Sequence, residues 1–146
     1  MSLPLATLHH LSGTMFEALV GTPLHVAETP AAEDGGEILG AWVEIHGAWQ
    51  GAVGVICTRD AARLAASAML EVDAADASET DLHDAVRELA NVIGGQVKAL
   101  LPLPNYLSLP TTGVGMPTSY APSVDMLDAR MDCNGQLVIV RLSTAA

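Results

Sequence analysis

Apolar residues recur every three or four positions in three stretches of the chain and alternate or run together in five shorter ones. Leu8, Leu11, Met15, Phe16 and Leu19 give a first helix over Leu5 to Val20, stopped by Gly21-Thr22-Pro23. A polar, glycine-containing stretch over residues 27 to 37 reads as a surface loop. Two strands follow, Ile38 to His46 and Trp49 to Cys57, forming a hairpin across Gly47-Ala48. Thr58 is placed to cap a second helix, Arg59 to Leu70, with Leu64, Ala65, Ala68 and Met69 facing inward. After a short acidic connection, a third helix starts near Thr80 and ends before Pro102 and Pro104. Three strands complete the chain: Tyr106 to Gly115, Val124 to Asp132, and Gln136 to Leu142. Asn134-Gly135 between the last two is the pair preferred in a two-residue type I′ hairpin.

Helices interleaved with runs of antiparallel strands predict an α+β fold, a mostly antiparallel sheet with three main helices packed on it. At 146 residues and 50% hydrophobic content the chain is long enough for one well-filled domain, and two would be crowded. The net charge of −11, with six Lys plus Arg, sets its field against nucleic acid and anionic membranes. No apolar run reaches membrane-spanning length, and Met-Ser-Leu-Pro does not open a basic, then apolar, leader. A cytoplasmic chain is expected, with Cys57 and Cys133 as reduced, buried thiols, although counting leaves a single bridge open.

The outward face of the third helix is the best candidate for function. Leu82, Ala85, Val86, Leu89, Ala90, Val92, Ile93, Val97 and Leu100 lie on one side, and Asp84, Glu88, Asn91 and Gly95 on the other. Glu88 and Asn91 are one turn apart and can reach into one small external target. Any solvated helix has a polar side, but two features here work against helix formation. Asn91 is a poor helix former, and Gly94-Gly95 costs roughly 2 kcal/mol relative to two alanines. Gly95, one turn after Asn91, leaves room for another molecule beside the amide. Gly94 either serves the same end or admits a neighbouring element of its own domain.

With that helix placed, the chain resembles the CheC/CheX family of chemotaxis phosphatases, in its single-motif CheX form. The resemblance rests on Asp84-x-x-x-Glu88-x-x-Asn91, the following Gly-Gly and Lys98, and Leu107-Ser-Leu-Pro110-Thr-Thr-Gly-Val-Gly115. Met15-Phe-Glu-Ala-Leu-Val-Gly21 and Gly51-Ala-Val-Gly-Val-Ile56 extend it upstream. It implies hydrolysis of the phosphoaspartate on a phosphorylated CheY-like response regulator. Asn91 would position the attacking water, and Glu88 would dock to the regulator's active-site lysine. Asp84 and Gly95 would belong to the partner-binding surface, with no chemical role for Asp84. No cofactor or metal is expected in this chain, and Mg²⁺ is expected on the partner regulator. The family pattern has a proline some twenty residues after the asparagine, for which Pro110 is the nearest match. A homodimer is also implied, with a strand exchanged between subunits in the region of Thr118 to Asp132, where this sequence departs from the family.

Other constellations compete less well. Cys57 and Arg63 fit the Cys-x5-Arg spacing of cysteine-dependent phosphatases, at a strand-to-helix junction where amides could cradle an anion. The loop has no glycine, Asp60 would repel the anion, and no histidine adjoins to activate the thiol. His9, His10, His25, His46 and His83 show no ligand spacing. Gly113-Val-Gly115 precedes no helix, so it is no phosphate loop. Trp42 and Trp49 suit core or interface. A non-catalytic dimeric module that binds a receiver domain or other signalling protein is the alternative, and a structural dimer with an unrelated partner is a third. The presence of both Glu88 and Asn91 favours the enzyme.

Overall fold

The computed structural model describes residues 3–26, 37–114 and 123–145. The elements run α1 (Leu5–Val20), β1 (His25–Val26), β2 (Ile38–Gly47), β3 (Gly51–Thr58), α2 (Arg59–Leu70) and, after a 3-10 turn at Ala74–Asp76, α3 (Glu79–Lys98). Then come β4 (Asn105–Leu107), β5 (Thr111–Val114), β6 (Ser123–Cys133) and β7 (Gln136–Ala145). Among the described residues the strands make a seven-stranded sheet in the order β1-β6-β7-β3-β2-β4, with β5 also on β2. All its pairings are antiparallel. The expected α+β architecture is thus the observed one.

The alternation along β2 explains how the layers form. Leu39, Ala41, Val43 and Ile45 are fully buried and join Val53, Val55 and Cys57 of β3 in one core with α1, α2 and α3. Ile56, Leu137 and Ile139 point to the reverse face and form a smaller cluster with Ile38. The β6–β7 turn has the expected geometry, with φ of 50° at Asn134 and 82° at Gly135, the two positive values that a type I′ turn requires. No helix among the described residues is long and apolar enough to cross a membrane.

Several boundaries differ from expectation, each for a physical reason. The single strand predicted from Tyr106 to Gly115 is two, β4 and β5, with Gly115 outside the described residues. Leu107 pairs with Ile45 and Thr111 with Trp42, so four steps on one side match three on the other. The extra residue forms a bulge at Leu109, 88% exposed, and Pro110 offers no N–H to the ladder. Ser108 bridges the break, its Oγ accepting from Glu44 N at 2.9 Å.

The first hairpin resumes at Gly51 rather than Trp49, because Trp49 leaves the strand to pack into the main core. On α2 the buried stripe is Ala61, Ala62, Ala65 and Ala66, with Ala68 exposed and Leu64 and Met69 only partly covered. Four small side chains let α3 come close, and that contact sets the rotation of α2. Leu100 is exposed because α3 ends at Lys98, and Leu101 takes the buried place beyond it. The stretch expected as a loop at 27–37 lies outside the described residues save Glu37, as does the start of the segment at Thr118.

Gly94 is where α3 meets the sheet. A methyl group there would lie 2.4 Å from Val43 Cγ2, whereas one on Gly95 would meet nothing within 4 Å. The two adjacent glycines therefore have different roles. Gly94→Ala is expected to destabilise the fold by about 1–3 kcal/mol through overpacking. Gly95→Ala is expected to stabilise it by roughly 0.5–1 kcal/mol through helix propensity. Urea unfolding of the two variants checks the difference in sign.

Candidate functional site

The site is built on α3, and both helix ends are held. Ser78 caps the first turn, its Oγ accepting from Asp81 N at 3.1 Å while Asp81 Oδ2 accepts from Ser78 N at 3.0 Å. This reciprocal cap starts the helix at Glu79, one residue before the expected Thr80. His83 ties the first turns to β5 through Nδ1 and Thr112 Oγ1, 2.8 Å apart. The Thr112 hydroxyl in turn donates to Gly40 O at 3.2 Å, which links the pair to β2. At the far end, buried Asn105 donates from Nδ2 to Lys98 O at 3.2 Å and to Pro102 O at 2.9 Å. Those bonds satisfy a carbonyl that the helix leaves open.

Between these anchors Leu82, Ala85, Val86, Leu89, Ala90, Ile93, Gly94 and Val97 are buried. The outer face presents Glu88, which is exposed, and Asn91 and Gly95, which are half-buried. Glu88 and Asn91 are successive turns of one surface, and neither side chain makes a hydrogen bond or ion pair among the described residues. Their polar atoms are therefore available to another molecule. Asp84, on the same ridge, is engaged: its Oδ1 lies 3.2 Å from Arg87 Nη1, with both side chains about two-fifths exposed (43% and 41%). An exposed pair of this kind contributes at most about 1 kcal/mol.

An open cleft of about 680 Å³ runs along this ridge, lined by Asp84, Arg87 and Glu88, the helix ends at Leu19 and Met69, and Pro110. The bulge that splits β4 from β5 is what brings Pro110 there. Sequence reasoning missed Arg87, although the Asp84–Arg87 spacing of three was a usable signal. It also missed the cleft walls from α1 and α2, which come together only through tertiary packing.

A family model described as chemotaxis phosphatase CheX matches residues 39–126, more than half of the chain. The chain belongs to the CheX family. The CheX match spans the hairpin, both central helices and the start of β6. Among curated proteins none is detectably similar in sequence. Among solved structures, the chemotaxis protein CheX of Desulfovibrio desulfuricans is similar with a TM-score of 0.72 at 20% identity, over 96% of this chain and 98% of that one. A CheC-like superfamily protein from Shewanella sp. PV-4 gives 0.74 at 14% identity, over the full length of both. A chain of the CheX–CheY–BeF3–Mg²⁺ complex from Borrelia burgdorferi gives 0.69 at 12% identity, over 99% of this chain and all of that one. At these identities the likeness is one of fold.

The cysteine alternative fails on the geometry of this CheX-family chain. Cys57 is free and 3% exposed in the main core, and Arg63 turns outward to pair with Asp60. Burial, with Cys133 nearby as a smaller cause, pushes the Cys57 thiol from 9.0 up to about 12. Cys133, also free, is raised by burial and by Asp132. A thiolate at neutral pH is thereby excluded. Two outcomes are expected. Thiol reagents at pH 7 label neither cysteine until the chain is unfolded, as read by mass spectrometry. Because the thiol pKa values are higher in the folded state, this contribution to stability is full below pH 9 and is lost as pH rises toward 12. Urea midpoints measured between pH 8 and 10.5 should fall, and Cys57→Ala should flatten that fall.

Proposed function

We propose that this chain hydrolyses the phosphoaspartate of a CheY-like response regulator, with Asn91 positioning the water and Glu88 docking to the regulator's active-site lysine. The observation that supports this most is the pair of unengaged polar side chains on one outward turn of α3, beside the space left by Gly95. Membership of the CheX family and the similarity to a chain of a CheX–CheY–BeF3–Mg²⁺ complex agree with it.

The chemistry suits an amide. Water attacks phosphorus, the bond from phosphorus to the aspartyl oxygen breaks, and that electron pair leaves with the carboxylate as inorganic phosphate and a proton are released. A carboxylate is a good leaving group, so the water needs orientation more than deprotonation. Asn91 offers both a donor and an acceptor to hold the water in line, and adds no negative charge beside the phosphoryl group. Glu88 is the charge that recognises the partner, since a carboxylate at its position meets a lysine across the interface. Mg²⁺ belongs to the regulator in this scheme. Asp84 and Gly95 extend the contact surface, and the chain works as a cytoplasmic homodimer.

The test is the lifetime of the phosphoryl group on receivers from the same cell, charged with a small acyl phosphate. The unaltered chain shortens it. Asn91→Ala reduces that acceleration by about 100-fold or more, with receiver binding largely retained. Glu88→Ala weakens binding by about 2 kcal/mol or more. Receivers that bind the chain with unchanged lifetimes throughout would instead establish a non-catalytic receiver-binding module.

A further inference from the structure

Positive charge is scarce on this chain, with six Lys plus Arg against seventeen acidic residues. Arg59, Arg63 and Arg141 pair with Glu79, Asp60 and Asp128 away from the Glu88–Asn91 face. Arg87 is on that face. Among the described residues it is the sole arginine or lysine lining the cleft beside Glu88, and it also lines the adjoining pocket at Glu79, Thr80 and His83. It precedes Asn91 by four residues, so the two are separated by only about 40° around the helix, against about 60° for Glu88 and Asn91. Helical side chains cover the turn before their own Cα, which puts the Asn91 amide over Arg87 and Glu88.

We propose that Arg87 is a further catalytic residue, whose guanidinium leaves Asp84 and binds the phosphoryl oxygens of the acyl phosphate as the water attacks. The inference rests on the phosphatase reading and deepens it. In the free chain Asp84 holds Arg87 in an exposed ion pair that solvent weakens, so the guanidinium exchanges partners at little cost. Glu88 engages a lysine of the regulator, and a dianionic phosphoryl group arrives against a ridge that still carries the Asp84 carboxylate. Arg87 supplies the compensating charge. Its planar fork can bind two oxygens at once, and closing the interface strengthens both bonds as water leaves. It moves no proton: the water oxygen bonds to phosphorus, and the leaving electron pair goes to the receiver's aspartate.

Maximal decay rates of phosphorylated receiver, and affinities for the receiver with and without BeF3⁻, test this in Arg87→Ala and Arg87→Gln, the second keeping a long stem and good helix propensity. The expected result is a maximal rate lower by about tenfold or more in both variants. Affinity for the unloaded receiver stays within about twofold of the unaltered chain, and the preference for the BeF3⁻-loaded form is lost. Asn91→Ala is the reference. If it is inactive while both Arg87 variants keep the full rate and the same preference, the role of Arg87 is overturned and that of Asn91 stands. An equal loss of affinity for loaded and unloaded receiver at an unchanged maximal rate also overturns it, because that is general charge steering. If the unaltered chain leaves the lifetime unchanged, both readings fall together.

Discussion

The contact of Gly94 with Val43 is the constraint on which the rest of the structure depends. It seats α3 directly on β2, close enough that a single methyl group would collide. A helix seated on one side and flanked by α1 and α2 can leave only a narrow ridge uncovered, and that ridge holds Glu88, Asn91 and Gly95. The Ser78–Asp81 cap and the Asn105 clamp hold the two ends. The ridge is therefore fixed at its seat and at both ends, so the docking proposed above need not first order the helix.

A ridge held in this way also explains why Glu88 and Asn91 can be left without partners among the described residues. Polar atoms buried without hydrogen bonds are costly, but atoms on an outer turn are solvated until a partner displaces the water. Glu88 and Asn91 meet that condition, whereas Asp84 and Arg87 neutralise each other nearby. The local balance matters on a chain whose net charge is −11, since the phosphoryl group of the proposed substrate would be repelled over most of its surface. The cleft beside Glu88 is lined by Asp84 and Arg87, and Asn91 and the open side of Gly95 follow on the next turns of the same helix.

Much of this was legible in the sequence because the helices are strongly periodic. The bounds of α1 and α2 follow from Gly21-Thr22-Pro23 and from the Thr58 cap, whose side chain accepts from Ala61 N. The β6–β7 turn follows from Asn134-Gly135. What escaped depended on partners distant in sequence. The split at Leu109 is a matter of register against β2, which the β-rich run from Tyr106 does not reveal. The true face of α2 was set by its need to approach α3, not by its larger apolar residues. The two-residue β1 beside β6 is too short to leave a pattern at all. Gly94 and Gly95 looked alike as sequence, and only the position of β2 separates a packing glycine from an open one.

The most direct measurement of the central claim is the side-chain amide resonance of Asn91 in ¹⁵N spectra, followed as a BeF3⁻-loaded CheY-like receiver is added. The account predicts that the Asn91 side-chain NH₂ shifts on saturation together with the Gly95 backbone amide, and that Asn134 at the far turn stays unmoved. An Asn91 side chain that keeps its free-state resonance in a saturated complex would contradict it, because the amide would then lie outside the phosphorylated pocket.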